Sequence, residues 1–125
     1  MNGKELLDRA AQRAQELPTS TLSQPFGEDW DVWKVGGKVF MLCTEVKGPA
    51  MITVKARPSD GRQLCDAYAD INPGYHMNKK HWITITPNGT VDPELLDDLI
   101  AESYLLVVEG LPRRARPVNP DTFGS

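Results

Sequence analysis

Asp31-Val32-Trp33-Lys34-Val35-Gly36-Gly37-Lys38-Val39-Phe40-Met41-Leu42-Cys43-Thr44 is the stretch on which the fold turns. Two runs rich in β-branched and aromatic residues are separated by two glycines. A two-residue turn that follows strand twist needs positive φ, which glycine adopts without steric cost. The pattern predicts a hairpin, with strands at about Asp31–Val35 and Lys38–Thr44. In the second strand Val39, Met41 and Cys43 alternate with Phe40, Leu42 and Thr44. Apolar groups on both sides predict a central strand partly covered on both faces.

Working outward, Gly48-Pro49 marks a turn and Met51–Lys55 a third strand, antiparallel to the second. Upstream, Leu6, Leu7, Ala10, Ala14 and Leu17 recur at spacings of three and four. That is one apolar stripe on a helix from about Gly3 to Leu17, stopped by Pro18. Thr19 to Pro25 reads as a polar connection.

Downstream, Arg57-Pro58-Ser59-Asp60 opens a second helix to about Ala69, with Ser59 or Asp60 as its cap and Leu64, Cys65 and Tyr68 facing inward. Trp82–Thr86 is a strand. Asp92-Pro93 starts the third helix, with Asp92 as cap and Pro93 where its missing N–H costs nothing. Its buried stripe is Leu96, Leu99, Ile100, Ser103, Leu106 and Val107, and Gly110 suits a left-handed stop.

The order is α-β-β-β-α-β-β-α. Clustered antiparallel strands with helices on one face make an α+β two-layer sandwich. One domain is expected over residues 1–111, and a flexible C-terminal tail with little to bury over 112–125.

The 125 residues carry a net charge of −3, which argues against strong non-specific binding to nucleic acid. The distribution is uneven. Val32 to Ser59 holds Lys34, Lys38, Lys47, Lys55 and Arg57 against Glu45, whereas Asp92 to Glu109 holds six acids and no base. A basic sheet side and an acidic helix side are expected. No apolar run approaches the roughly 20 residues that span a bilayer, so a cytoplasmic chain with no membrane partner is expected. Cys43 and Cys65 form no CxxC pair and read as buried thiols.

Reactive side chains concentrate in Asn72-Pro73-Gly74-Tyr75-His76-Met77-Asn78-Lys79-Lys80-His81-Trp82. With Asn78-Lys79 as a two-residue tip, Met77 falls opposite Lys80, His76 opposite His81 and Tyr75 opposite Trp82. Alternation then puts both histidines on one face. Three readings stand. Lys79 and Lys80 meet phosphates while a histidine or Trp82 contacts sugar or base. His76 and His81 begin a metal or catalytic site, for which nearby sequence supplies no third ligand. Or the stretch is structural, with aromatics plugging the sheet edge. There is no phosphate loop, GxSxG elbow or HExxH. The carboxylates Glu28, Asp29 and Asp31 read as loop and cap features. No enzyme activity, metal or cofactor is expected.

Pro25-Phe26-Gly27-Glu28-Asp29, Trp33-Lys34-Val35-Gly36-Gly37-Lys38-Val39-Phe40 and Pro73-Gly74-Tyr75-His76-Met77-Asn78-Lys79-Lys80-His81-Trp82 closely resemble the MmcQ/YjbR family of small bacterial proteins. The resemblance runs in order from about Leu6 to Pro112. It implies a fold similar to CyaY and to secretion chaperones, and a DNA-binding role through a double-wing motif. The wings would be the Glu45–Ala50 and Met77–Lys80 turns, with Lys47, Lys79 and Lys80 as phosphate contacts. Trp33 stands where relatives often have phenylalanine. The expected nucleic-acid-binding set is Lys34, Lys38, Lys47, His76, Asn78, Lys79, Lys80, His81 and Trp82. The alternative is a non-enzymatic protein- or ligand-interaction module using the sheet face, as secretion chaperones do.

Overall fold

The structure, a computed structural model, describes residues 1–45, 48–75 and 77–124. Among these residues the order is α1 (Gly3–Glu16), β1 (Thr21–Ser23), β2 (Trp30–Val35), β3 (Lys38–Thr44), β4 (Met51–Lys55), α2 (Pro58–Ala67), β5 (Ile71–Pro73), β6 (Trp82–Ile85), α3 (Pro93–Glu109) and a short 3-10 turn at Arg113–Ala115. The strands form one antiparallel sheet in the order β1-β2-β3-β4-β6-β5. The α+β sandwich and its order stand as expected, with one strand added.

Local chemistry sets the ends. Asn2 and Glu5 form a reciprocal capping box at α1. Asp92 accepts from the Leu95 N–H, with Pro93 beginning α3. Gly36 and Gly37, at φ 58° and 78°, close the β2–β3 hairpin in two residues. Three expectations change. Arg57, not Ser59 or Asp60, is the α2 cap residue, and its side chain makes no capping bond. Pro58 fixes the first turn, so the helix starts ahead of both candidates. Gly110 ends α3 in right-handed geometry, φ −80°. The polar connection after α1 contains β1, an edge strand pairing Leu22 with Trp33.

The sheet has two unlike faces. Trp33, Met41, Cys43, Ile52, Val54, Ile83 and Ile85 share the helix side and join Leu6, Ala10, Leu96, Ile100 and Tyr104 in one core. A bulge serves this core. Trp33 pairs with Met41 and Lys34 with Val39, so Phe40 is the extra residue. Phe40 and Met41 are both fully buried. Phe40 meets the Tyr104 ring edge-on at 5.5 Å, and its carbonyl accepts from the Ser103 hydroxyl at 2.6 Å. On α3 Tyr104 and Val108 are buried where Leu99 and Leu106 were expected. The bulged strand shifts the contact line around the helix.

The opposite face carries Val32 against Leu42 and Thr53 against Thr84, whose hydroxyls bond at 2.9 Å. No helix covers it. The C-terminal residues expected to have little to bury instead send Val118 and Phe123 against the core, and Arg116 donates to the carbonyls of Glu109 and Leu111.

Candidate nucleic-acid interface

Register decides where the lysines meet. Val35 pairs with Lys38, Lys55 with Trp82, and Val54 with Met41. The end of β2, the start of β3, the end of β4 and the start of β6 therefore lie at one end of the sheet. Lys34, Lys38 and Lys55 belong to these strand ends. The loop from Gly74 to His81 arrives at the same end, where the His81 carbonyl accepts from the Ala56 N–H at 2.9 Å. It brings Lys79 and Lys80, both exposed.

The loop is not the two-residue hairpin that the sequence suggests. Pro73 pairs with Ile83, and the Gly74 N–H donates to the Trp82 carbonyl at 2.8 Å. The register differs by one residue from the expected Tyr75–Trp82 pairing, so the opposition of Met77 with Lys80 is also lost. Two contacts cause this. Gly74 lies so close to Trp82 that a Cβ would sit 2.7 Å from the Trp82 Cβ. The Tyr75 N–H then donates to the Thr84 hydroxyl at 2.8 Å instead of continuing the ladder. That hydroxyl is on the open face, where Met77 and Leu42 line one groove.

Asn78 shapes the return. Its side-chain oxygen accepts from the Lys80 N–H at 2.9 Å, and its carbonyl from the His81 N–H at 3.1 Å. Asn78 thus builds the turn that displays the lysines. Lys79 Nζ donates to the Gly74 carbonyl at 3.4 Å. His81 and Trp82 are half-buried. Lys47 and His76 lie outside the described residues. Among the described residues no three His, Cys, Asp or Glu side chains are grouped to hold a metal ion.

Apart from Lys4, which pairs with Asp8 on α1, the ion pairs among the described residues are made by arginines. Arg9 holds Asp97 through two bonds between α1 and α3, Arg13 pairs with Glu16, and Arg57 reaches Glu102 and Glu109. Among the described residues none of Lys34, Lys38, Lys55, Lys79 or Lys80 has a carboxylate partner within 4.0 Å. Glu28, Asp29 and Asp31 lie at the opposite end, where Trp30 pairs with Thr44. Charge was expected to divide between sheet and last helix. It divides along the strands as well, because α3 begins at the acidic end and its later acids, Glu102 and Glu109, face Arg57.

Two hollows escaped the sequence reading. Between α2 and the loop, a cleft of about 290 Å³ is lined by Arg62, Cys65, Asp66, Lys79, Lys80 and Trp82 among others. Arg62 joins the lysines only because α2 packs beside β5 and β6, and no short-range signal announces that. On the open face a groove of about 480 Å³ runs between Phe26, Trp30 and Met77. Both thiols are poor nucleophiles. Burial pushes the Cys43 thiol pKa up, with Asp31 adding to it, and the half-buried Cys65 is raised by desolvation and then by Asp66.

Comparison with known proteins gives a consistent result. The YjbR family model matches residues 15–106. The chain is 45% identical over 114 residues to the uncharacterized protein YbdF of Escherichia coli O157:H7, covering 91% of this chain and 93% of that protein. It is 28% identical over 95 residues to the uncharacterized protein YjbR of Escherichia coli K12, covering 74% and 80%. Among solved structures, Deinococcus radiodurans DR2400 superposes with a TM-score of 0.81 at 38% identity, covering 88% of this chain and 84% of that one. A Pseudomonas syringae protein gives 0.67 at 26% identity, covering 85% and 98%.

Proposed function

The chain belongs to the YjbR family, and we propose that it is a non-enzymatic DNA-binding protein whose contact surface is the lysine-bearing end of the sheet. One observation carries this reading. Five lysines from separate strand ends and one loop share that end, with no carboxylate partner among the described residues. Charges left unpaired by the fold are available to phosphates, which supply most of the affinity of such contacts.

The dimensions support it. Strands lie about 4.8 Å apart, so β2 to β6 across β3 and β4 spans about 15 Å. A duplex carries about one charge per 1.7 Å of axis, and three or four phosphates fall within reach. Lys34, Lys38, Lys79 and Lys80 are the contacts, with Lys55 behind them. Trp82, beside Lys79 and Lys80 in the cleft, offers a ring to a sugar or an unpaired base. Asn78 acts through the turn. The overall acidity of the chain keeps affinity modest.

Titration of a labelled duplex tests the proposal. With three or four phosphate contacts, affinity falls about 40- to 150-fold between 50 and 200 mM salt. Lys79→Ala combined with Lys80→Ala lowers affinity at low salt and flattens the salt slope by about 2. Unchanged binding by that variant overturns the assignment of the loop. A second reading, a ligand- or protein-interaction module, is favoured by the open-face groove, whose rim residue Phe26 is 72% exposed.

A further inference from the structure

We propose that the open-face groove is a binding site for a small amphipathic monocarboxylate. This inference deepens the second reading, and of the proposed DNA contacts it uses Lys34 alone. The floor is Val32 and Leu42, at 2% and 7% exposure, and the walls are Phe26, Trp30 and Met77. Among the described residues one charged side chain, Lys34, lines the groove, and no acid does. Alternation on β2 puts Lys34 on the face of Val32. The β3 bulge, with Phe40 as its extra residue, returns Val39 to the face of Leu42, opposite Lys34.

An apolar trough with a single cation selects an apolar body with a single negative charge. The ammonium of Lys34, without a carboxylate partner among the described residues, supplies the counter-charge. A carboxylate there forms a charge-assisted hydrogen bond. The volume of about 480 Å³ falls in the roughly 300–1,000 Å³ range of small-molecule sites. A protein partner needs about 800 Å² of surface on each side, more than this groove presents. A nucleotide brings several charges to one cation.

Octanoate is the probe, read by the Trp30 indole N–H and Met77 methyl signals in NMR titration, with octanol and octylammonium in parallel. Saturable octanoate shifts confined to these groups are expected, octanol weaker and octylammonium absent. Lys34→Gln weakens octanoate by about tenfold or more, the loss of one charged hydrogen bond, and leaves octanol unchanged. Lys34→Arg restores most of the affinity. Lys79→Ala with Lys80→Ala leaves octanoate binding intact, which separates this site from the DNA surface. Absence of saturable shifts, equal octanoate affinity in Lys34→Gln, or octylammonium binding as tightly as octanoate overturns the proposal.

Discussion

The two ends of the sheet carry opposite charge and use it in opposite ways. At the far end Asp70, Asp92 and Asp97 are used by the fold. Asp92 caps α3, Asp97 ties α3 to α1 through Arg9, and the buried Asp70 clamps the β6–α3 connection. Asp70 accepts from the Thr90 N–H at 2.8 Å and the Thr90 hydroxyl at 2.7 Å. Its carbonyl also takes the Thr86 N–H at 2.9 Å. At the near end Lys34, Lys38, Lys55, Lys79 and Lys80 hold nothing acidic among the described residues. The contrast separates charge that builds the molecule from charge left for a ligand. It predicts that mutations at one end change stability and at the other change binding.

Asp70→Ala has the largest expected effect on stability. It removes the buried acceptor of two charge-assisted hydrogen bonds from Thr90 and costs about 2 kcal/mol, measured as a shift in the urea midpoint at neutral pH. A loss under about 0.5 kcal/mol breaks the contrast at its strongest point.

The same residue sets a pH dependence. Burial pushes the Asp70 carboxyl up, but hydrogen bonds from Thr90 and Asn88 outweigh it and hold the pKa below its usual 3.8. A depressed folded pKa contributes stability fully above the unfolded value and loses it as pH falls through the folded one. The advantage of the native protein over Asp70→Asn is therefore present at neutral pH and shrinks below about pH 4. Parallel unfolding curves at neutral and acid pH check this, and an advantage that grows on acidification contradicts it.

Asp92→Ala ranks next, at about 1 kcal/mol for a lost helix cap. Hydrogen exchange in the first turn of α3 locates the loss. Between the two ends, Trp33 buries an indole nitrogen that has no hydrogen-bond partner among the described residues. Trp33→Phe removes that orphan while giving up ring volume. The two effects oppose, and the net change is expected below about 1 kcal/mol. The smallest stability effect belongs to the lysines: Lys79→Ala with Lys80→Ala stays within about 0.5 kcal/mol.

Much of the framework was legible because its signals are local. Gly36-Gly37 needs only its own backbone freedom to declare a hairpin. Asp92-Pro93 declares a helix start, and the α1 stripe is plain at Leu6, Ala10, Ala14 and Leu17. β1 was not legible, since Thr21, Leu22 and Ser23 become a strand only when β2 offers its edge. The loop failed for a sharper reason. Gly74 sets the register by pressing on Trp82, and Thr84 captures the Tyr75 N–H, both contacts eight or more residues away. Lys79 and Lys80 could be named from sequence. Their company with Lys34, Lys38 and Lys55 at one end follows only from the pairings of β2, β3, β4 and β6. Arg62 and the Phe26 groove depend on packing alone.

The proposed contact is between DNA and the lysine end of the sheet. Amide NMR spectra recorded during titration with a short duplex at low salt test it most directly. The account predicts shifts at Lys34 to Lys38 and at Lys79 to Trp82, fading as salt rises, with Glu28 to Asp31 unmoved. Binding that perturbs the Glu28–Asp31 end, or that leaves Lys79 and Lys80 unmoved, contradicts it.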